Sequence, residues 1–361
     1  MNTALTVISS ILVFGFLIFI HEFGHYIFAR IFNVKIDEFS IGMGPRLFWY
    51  DSKKTGIKYS VAMLPIGGFV SMPGENGEND EYADIPNTFG KKPAWQRFII
   101  TAAGAAINII VGFIFMIILT SVTKINNDPA YVGGDTTVRE FHDKVEYEYS
   151  VSSSESGLQV GDEIIAVGKK RVRILDELSY EIMRQGNKPV DVTVVRNGEV
   201  KVLPDVVFPM SEMQDQTFGL MDFKVSKVEK TFGTVMKYSW FNGTLIIRMV
   251  WESLFDLITG RYTFAAVSGP VGISSAIGDA AAAGFASLLY ITVLISINLG
   301  VMNLLPIPAL DGGRLLTLLI EMVTRKKLPP KVEGIINATG LILLLGLSLV
   351  VMIKDVIQLI V

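Results

Sequence analysis

Cysteine is absent from all 361 residues. That excludes disulfides and any thiolate metal ligand, so a metal held by this chain must be bound through imidazole or carboxylate. Histidine is scarce as well, with three in the whole chain. Excess charge of either sign is missing: 32 basic against 35 acidic residues leave a formal net charge of −3. No basic footprint for a nucleic acid follows from that balance. Lys and Arg are also missing from everything before Arg30. A cleaved secretory leader would carry a basic start and a small-residue cleavage site, whereas bulky side chains run up to His21. The first apolar stretch is therefore expected to be a retained membrane span.

What is present is apolar. Half of the residues are hydrophobic and the mean hydropathy is +0.45, which points to a membrane protein rather than a soluble domain. Inside the first apolar run stands His21-Glu22-Phe23-Gly24-His25. Residues four apart on a helix share one face, so the two imidazoles aim at one point with Glu22 beside it. That is the H-E-x-x-H arrangement of two zinc ligands and a carboxylate able to act as general base. Two of only three histidines lie here, in an apolar span where ionisable groups are costly and mark function.

The rest of the chain divides by composition. Residues 1–30 form the first span and 98–123 the second; 285–305 and 334–361 form the third and fourth. Residues 31–97 are rich in Lys and Arg and contain short alternating pieces such as Gly56–Met63, separated by Gly-Pro turns. A small sheet against the membrane is expected there, with Gly74–Asp84 as an acidic solvated loop. Residues 124–222 are polar and β-branched and read as a soluble domain, with a helix near Ile174–Gln185 and a hairpin closing on Asn197-Gly198. Residues 223–284, where Trp240, Phe241, Trp251 and Phe255 alternate with charges, read as an interfacial amphipathic linker. Residues 306–333 form a basic loop after the third span. Because 31–97 and 306–333 hold the basic residues, both are expected in the cytoplasm, with both termini and the soluble domain outside.

Two histidines leave tetrahedral zinc one protein ligand short. His142 lies in the outside domain by this topology. Among carboxylates in apolar surroundings Asp311 stands out, in Asn303-Leu304-Leu305-Pro306-Ile307-Pro308-Ala309-Leu310-Asp311-Gly312-Gly313. Taken alone, Asp-Gly-Gly is an ordinary turn. Prolines that unwind a span at membrane depth need a cavity or protein to line, and the missing ligand supplies a reason. Asn108 is the polar exception in the second span, able to hydrogen-bond to a neighbouring helix; its small-residue run Ala102–Ala106 reads as helix packing.

HEFGH in a first span and NLLPIPALDGG in a third together resemble the site-2 protease family of intramembrane zinc metalloproteases. The nearer likeness is to its bacterial branch, which cleaves anti-sigma factors and remnant signal peptides. Ile41–Pro45 and Leu64–Val70 resemble the family's membrane-associated β-region. Phe89–Arg97 resembles its lead-in to the second span, Ser156–Gly168 its PDZ domain, and Ser268–Ile273 the segment before the third span. The resemblance implies a polytopic α-helical membrane protein of four transmembrane helices, with a membrane-associated β-region and an inserted extracytoplasmic PDZ-like α+β domain. It implies one Zn2+ per chain on His21, His25 and Asp311, Glu22 as catalytic base, and Asn303 in contact with substrate. Substrates would be single-pass membrane proteins, pre-cut by a site-1 protease, in a bacterial plasma membrane; lipid is the other partner, and nucleic acid none. Three features depart from the pattern: Ala103-Gly104-Ala105 stands where Ala-Gly-Pro is usual, Arg314 stands where His follows Asp-Gly-Gly and is given no catalytic role, and one PDZ-like domain fits where some relatives carry two. The rival classes are a PDZ-bearing membrane scaffold or sensor without catalysis, and a zinc transporter. An intact Glu22 argues against the first, and the near absence of polar residues in spans two and four against the second.

Overall fold

The structure, a computed structural model, describes residues 3–75, 85–123, 130–131, 152–159, 161–213, 216–223, 230–261 and 267–360. His142 and residues 76–84 of the expected acidic loop lie outside them.

In chain order, α1 (Thr3–Ile31) leads into two long strands, β1 (Glu38–Asp51) and β2 (Lys58–Ser71), and then α2 (Ala94–Val122). Next come β3 (Ala130–Tyr131), α3 (Ser152–Glu155), β4 (Glu163–Val167), β5 (Lys170–Arg171), α4 (Leu175–Gln185), β6 (Val190–Arg196), β7 (Glu199–Val206), β8 (Met210–Met213) and β9 (Gln216–Gly219). Five helices close the chain: α5 (Phe232–Ile258), α6 (Pro270–Ala283), α7 (Phe285–Asn303), α8 (Asp311–Thr324) and α9 (Pro330–Ile360). Among the described residues, α1, α2, α7 and α9 are long and apolar enough to cross a membrane. The protein is a multi-pass membrane protein.

The chain separates into two compact units, residues 116–245 and the remainder. In the remainder, β1 and β2 each bend, and their pairing runs in two directions. Glu38–Ile41 lies parallel to Lys58–Val61 and antiparallel to Gly68–Ser71, while the end of β1, through Phe48–Asp51, pairs antiparallel with Lys58–Val61. The lateral order is therefore the end of β1, the start of β2, the start of β1, the end of β2. Positive φ at Gly42, Gly44 and Gly67 (87°, 92° and 75°) makes these bends. Glu38, buried in the middle run, accepts from Arg46 Nε (2.8 Å) and Ser60 Oγ (2.7 Å). The Arg46 guanidinium holds its carboxyl below the usual range.

Two apolar clusters flank the middle of α1. Val13 and Leu17 pack on Ile277 of α6 with Leu288 and Ile291 of α7. On the other side Ala29, Val34, Phe39, Val70, Phe89 and Ile100 join α1 to the sheet and the start of α2. Asp355 of α9 accepts from the backbone N–H of Gly269 and Gly272, both at 2.9 Å, and so caps the start of α6.

The second unit holds an antiparallel sheet of order β3-β4-β6-β7, with β5 pairing β4, and a separate β8-β9 hairpin. The β6-β7 turn falls on Asn197 and Gly198, both at positive φ. Ile164, Val167, Leu178, Ile182, Val192 and Val194 are nearly or fully buried and pack α4 on this sheet.

α8 is the main departure from the sequence reading, which makes 306–333 a loop. Gly312 and Gly313 at its start have poor helix propensity and mask the onset. Leu315 and Leu318 repeat at helical spacing and are buried, which is the stripe that holds it.

Candidate metal centre

α1 carries His21 and His25 on one face, one turn apart, with rings 4.9 Å between centroids. Their Nε2 atoms lie 3.3 Å from each other. The turn between α7 and α8 brings Asp311 to them as the first residue of α8. Asp311 Oδ2 is 3.2 Å from His21 Nε2 and 3.4 Å from His25 Nε2. That turn is tightly packed: a Cβ on Gly312 would run into the Leu304 and Leu305 carbonyls, so only glycine fits. Ala309, at φ 71°, occupies the left-handed region just before it, a strained backbone of the kind stored at functional sites.

α2 forms the floor. His25 Nδ1 lies 2.9 Å from the Ile100 carbonyl. A carbonyl only accepts, so Nδ1 carries the proton and Nε2 turns its lone pair toward His21 and Asp311. A Cβ on Gly104 would overlap His25 Nε2 and reach within 2.9 Å of the His21 ring, so glycine is what lets both imidazoles lie on α2. Asn108 Nδ2 sits 3.3 Å from His21 Nδ1.

These groups open into a cavity of about 200 Å³. Glu22, Thr101 and Gly68–Val70 line it as well, and a Cβ on Gly68 would come within 2.9 Å of Glu22 Cγ. Arg314 also reaches the lining, but its guanidinium is engaged by Glu75 Oε1 and the Glu75 carbonyl and stands over the Phe89 ring. It ties the Gly74-Glu75 turn to α8. Asn303 ends α7, half-buried, and does not line the cavity.

His21, His25 and Asp311 thus form a cluster able to coordinate a metal ion. Zinc bonds of about 2.0–2.1 Å to nitrogen and carboxylate oxygen set the edges of a tetrahedron at about 3.3–3.4 Å. The three donor atoms already stand at 3.2, 3.3 and 3.4 Å. Asp311 Oδ2 is buried and, among the described residues, has the two imidazole nitrogens as its polar neighbours, an oxygen placed to join them on a cation. The donor set fits zinc.

The sequence reading missed the part played by α2. Ala102–Ala106 reads as helix packing, yet Gly104 makes room for the imidazoles and the Ile100 carbonyl orients one of them. A backbone carbonyl leaves no sequence signal, and the only hint was a polar Asn108 in an apolar span.

The model of peptidase family M50 matches residues 9–347. The chain belongs to peptidase family M50. Named proteins from other bacteria are similar over nearly their full length. A Clostridium acetobutylicum protein, named provisionally a zinc metalloprotease, is 33% identical over 97% of both chains. A Fusobacterium nucleatum protein named in the same way is 33% identical over 98% of both. The Bacillus subtilis regulator of sigma-W protease RasP is 26% identical over 97% of this M50 chain and 98% of its own. Family membership and the His-His-Asp cluster together support a zinc-dependent intramembrane protease.

Proposed function

We propose that the protein is an intramembrane endopeptidase that cuts the transmembrane segments of single-pass membrane proteins. The observation that carries this reading is the triangle of His21 Nε2, His25 Nε2 and Asp311 Oδ2, spaced at 3.2–3.4 Å inside an apolar helix bundle. These three atoms would hold one Zn2+ per chain. When bound, zinc acidifies a water toward neutrality and polarises a carbonyl. Glu22, adjacent to His21 and in the same cavity, takes the proton at its carboxylate and returns it to the leaving amine.

The outer run of the sheet, Gly68–Ser71, pairs with Glu38–Ile41 on one side. Among the described residues no strand pairs its other side, and Gly68–Val70 line the cavity. An extended peptide can add there as a further strand. A helical substrate must first unwind, so weak helix formers near the cut favour cleavage. Asn303, eight residues before Asp311, contacts the substrate by its match to the family motif. The Bacillus relative is named a regulator of sigma-W protease; with the motif resemblance, that makes anti-sigma factors, pre-cut by a site-1 protease, the first substrate class proposed, and remnant signal peptides the second. The antiparallel sheet of residues 116–245 supports a PDZ-like domain that screens substrates, by size or by their new carboxyl end. The basic stretches 31–97 and 306–333 support a cytoplasmic side for both, with the termini and PDZ-like domain outside a bacterial plasma membrane.

Glu22→Gln should keep one zinc per chain and abolish cleavage of a reporter membrane substrate. Wild-type cleavage by that variant would remove Glu22 from its role. A zinc-loaded wild-type protein that binds substrate segments and cuts none would establish the scaffold reading instead.

A further inference from the structure

Asn108 is fully buried in α2, a long apolar helix. A primary amide in that setting costs stability unless both ends are bonded. Its backbone carbonyl accepts Ser296 Oγ at 2.7 Å, and Ser296 is itself fully buried in α7. Asn108 is therefore fixed between α7 and α1. Its side chain is fixed less completely: Nδ2 faces His21 Nδ1 at 3.3 Å, and Oδ1 has no hydrogen-bond partner among the described residues.

The two facts bear on one question, which ring nitrogen of His21 holds the proton. With the amide nitrogen toward Nδ1, Nδ1 is the acceptor and Nε2 carries the proton. An Nε2–H then points into the donor triangle, next to Asp311 Oδ2, and offers no lone pair to a cation. With a cation on Nε2, the proton must sit on Nδ1, and the group opposite must accept. Half a turn of the amide about its Cβ–Cγ bond puts Oδ1 there. The two ends of the amide are nearly the same size, so the turn needs no repacking. His25 already shows this pattern, with Nδ1 against the Ile100 carbonyl.

We propose that Asn108 is a positioning residue for the metal centre: its Oδ1 accepts the Nδ1–H of His21 and so fixes the tautomer that presents Nε2. This rests on the metal reading of His21, His25 and Asp311. An amide suits the position because it donates to the empty centre and accepts from the loaded one, where a carboxylate only accepts and an alkyl group does neither. Partners of this kind are worth about 10–100-fold in metal affinity.

The test is zinc affinity of the full-length protein in detergent, by chelator competition, for wild type, Asn108→Leu and Asn108→Asp. Histidine 15N-1H spectra of the zinc-loaded forms add a readout independent of activity. The chain has only three histidines, so the spectrum is readable and His25 is an internal control. Asn108→Leu should bind zinc about 10–100-fold more weakly, and its His21 Nδ1 proton should move upfield while that of His25 stays. Asn108→Asp should restore both. Equal affinity in the leucine variant, or equal loss in both variants, overturns the proposal and leaves the metal site standing. Should Asn108→Leu fail to fold, an upfield His21 Nδ1 proton beside a downfield His25 one in wild type overturns it alone. Absence of zinc binding by wild type overturns the metal reading itself.

Discussion

Two aspartates, one wholly buried and one half-buried, show how differently the two units treat a carboxylate. Asp162, in residues 116–245, is wholly buried and saturated with partners. Arg196 Nε and Nη2 each donate to it at 2.7 Å, and the Gln159 N–H at 2.9 Å. Asp311, at the head of α8, has a buried Oδ2 that, among the described residues, faces two imidazole nitrogens and has no Arg or Lys paired with it. A fold that needs a carboxylate for its own stability surrounds it with donors, because an unpaired buried charge is among the costliest defects. A fold that gathers one with two imidazoles and no fixed cation reserves it for a charge the chain does not supply. Replacing each acid, or its partner, should therefore break different properties.

The larger break is at Asp311. Asp311→Asn removes the one anionic donor of the triangle, and zinc retention should fall by more than the about 100-fold limit of an outer-partner defect. Reporter cleavage should vanish with it, while amide protection across β4, β6 and β7 stays at the wild-type level. Metal analysis after dialysis decides the matter: one zinc per chain in this variant would strike Asp311 from the donor set.

Arg196→Leu is the converse. It strands Asp162, and losing one partner of a buried pair costs about 3–5 kcal/mol. At 1.4 kcal/mol per tenfold, slow amide exchange in β6 should accelerate by roughly two to three and a half orders of magnitude. Zinc content should not change. Unaltered exchange in β6 would mean that the pair adds nothing to that sheet.

How far the comparison could be foreseen differs by residue. His21, Glu22 and His25 were legible because a helix period of 3.6 turns their spacing into a direction. Asp311 was legible because two prolines interrupt an apolar span just before it. The Asp162–Arg196 pair was not, since the two are 34 residues apart and only the β4-β6 register brings them together. Asn108 against His21, 87 residues away, was hidden for the same reason. The doubled pairing of β1 and β2 depends on where glycines reverse the chain. The sequence marks those glycines as turns without saying which run pairs with which. Local period is written in the sequence; long-range partnership emerges only with the fold.

The smallest effect expected concerns a third acid, Asp176, which lies between these two extremes. Tyr238 Oη and Asn242 Nδ2, both from α5, donate to its Oδ2 at 2.5 and 2.6 Å, but among the described residues no cation is paired with it. Burial pushes the carboxyl up from its ordinary 3.8, and the two hydrogen bonds offset only part of that. A raised folded-state pKa means that the folded form binds the proton more readily than the unfolded one. Its contribution to stability is then fully present below the unfolded value and is lost as pH rises through the folded value. Exchange protection of the α4 amides should accordingly fall as pH is raised from about 4 toward neutrality, after correction for intrinsic exchange. Asp176→Asn keeps an acceptor for both donors and removes the charge, so the same amides should be better protected at pH 7 and lose their pH slope. A slope that survives in that variant would place its origin elsewhere. It would also mean that the two α5 donors satisfy the ionised carboxylate as fully as Arg196 satisfies Asp162.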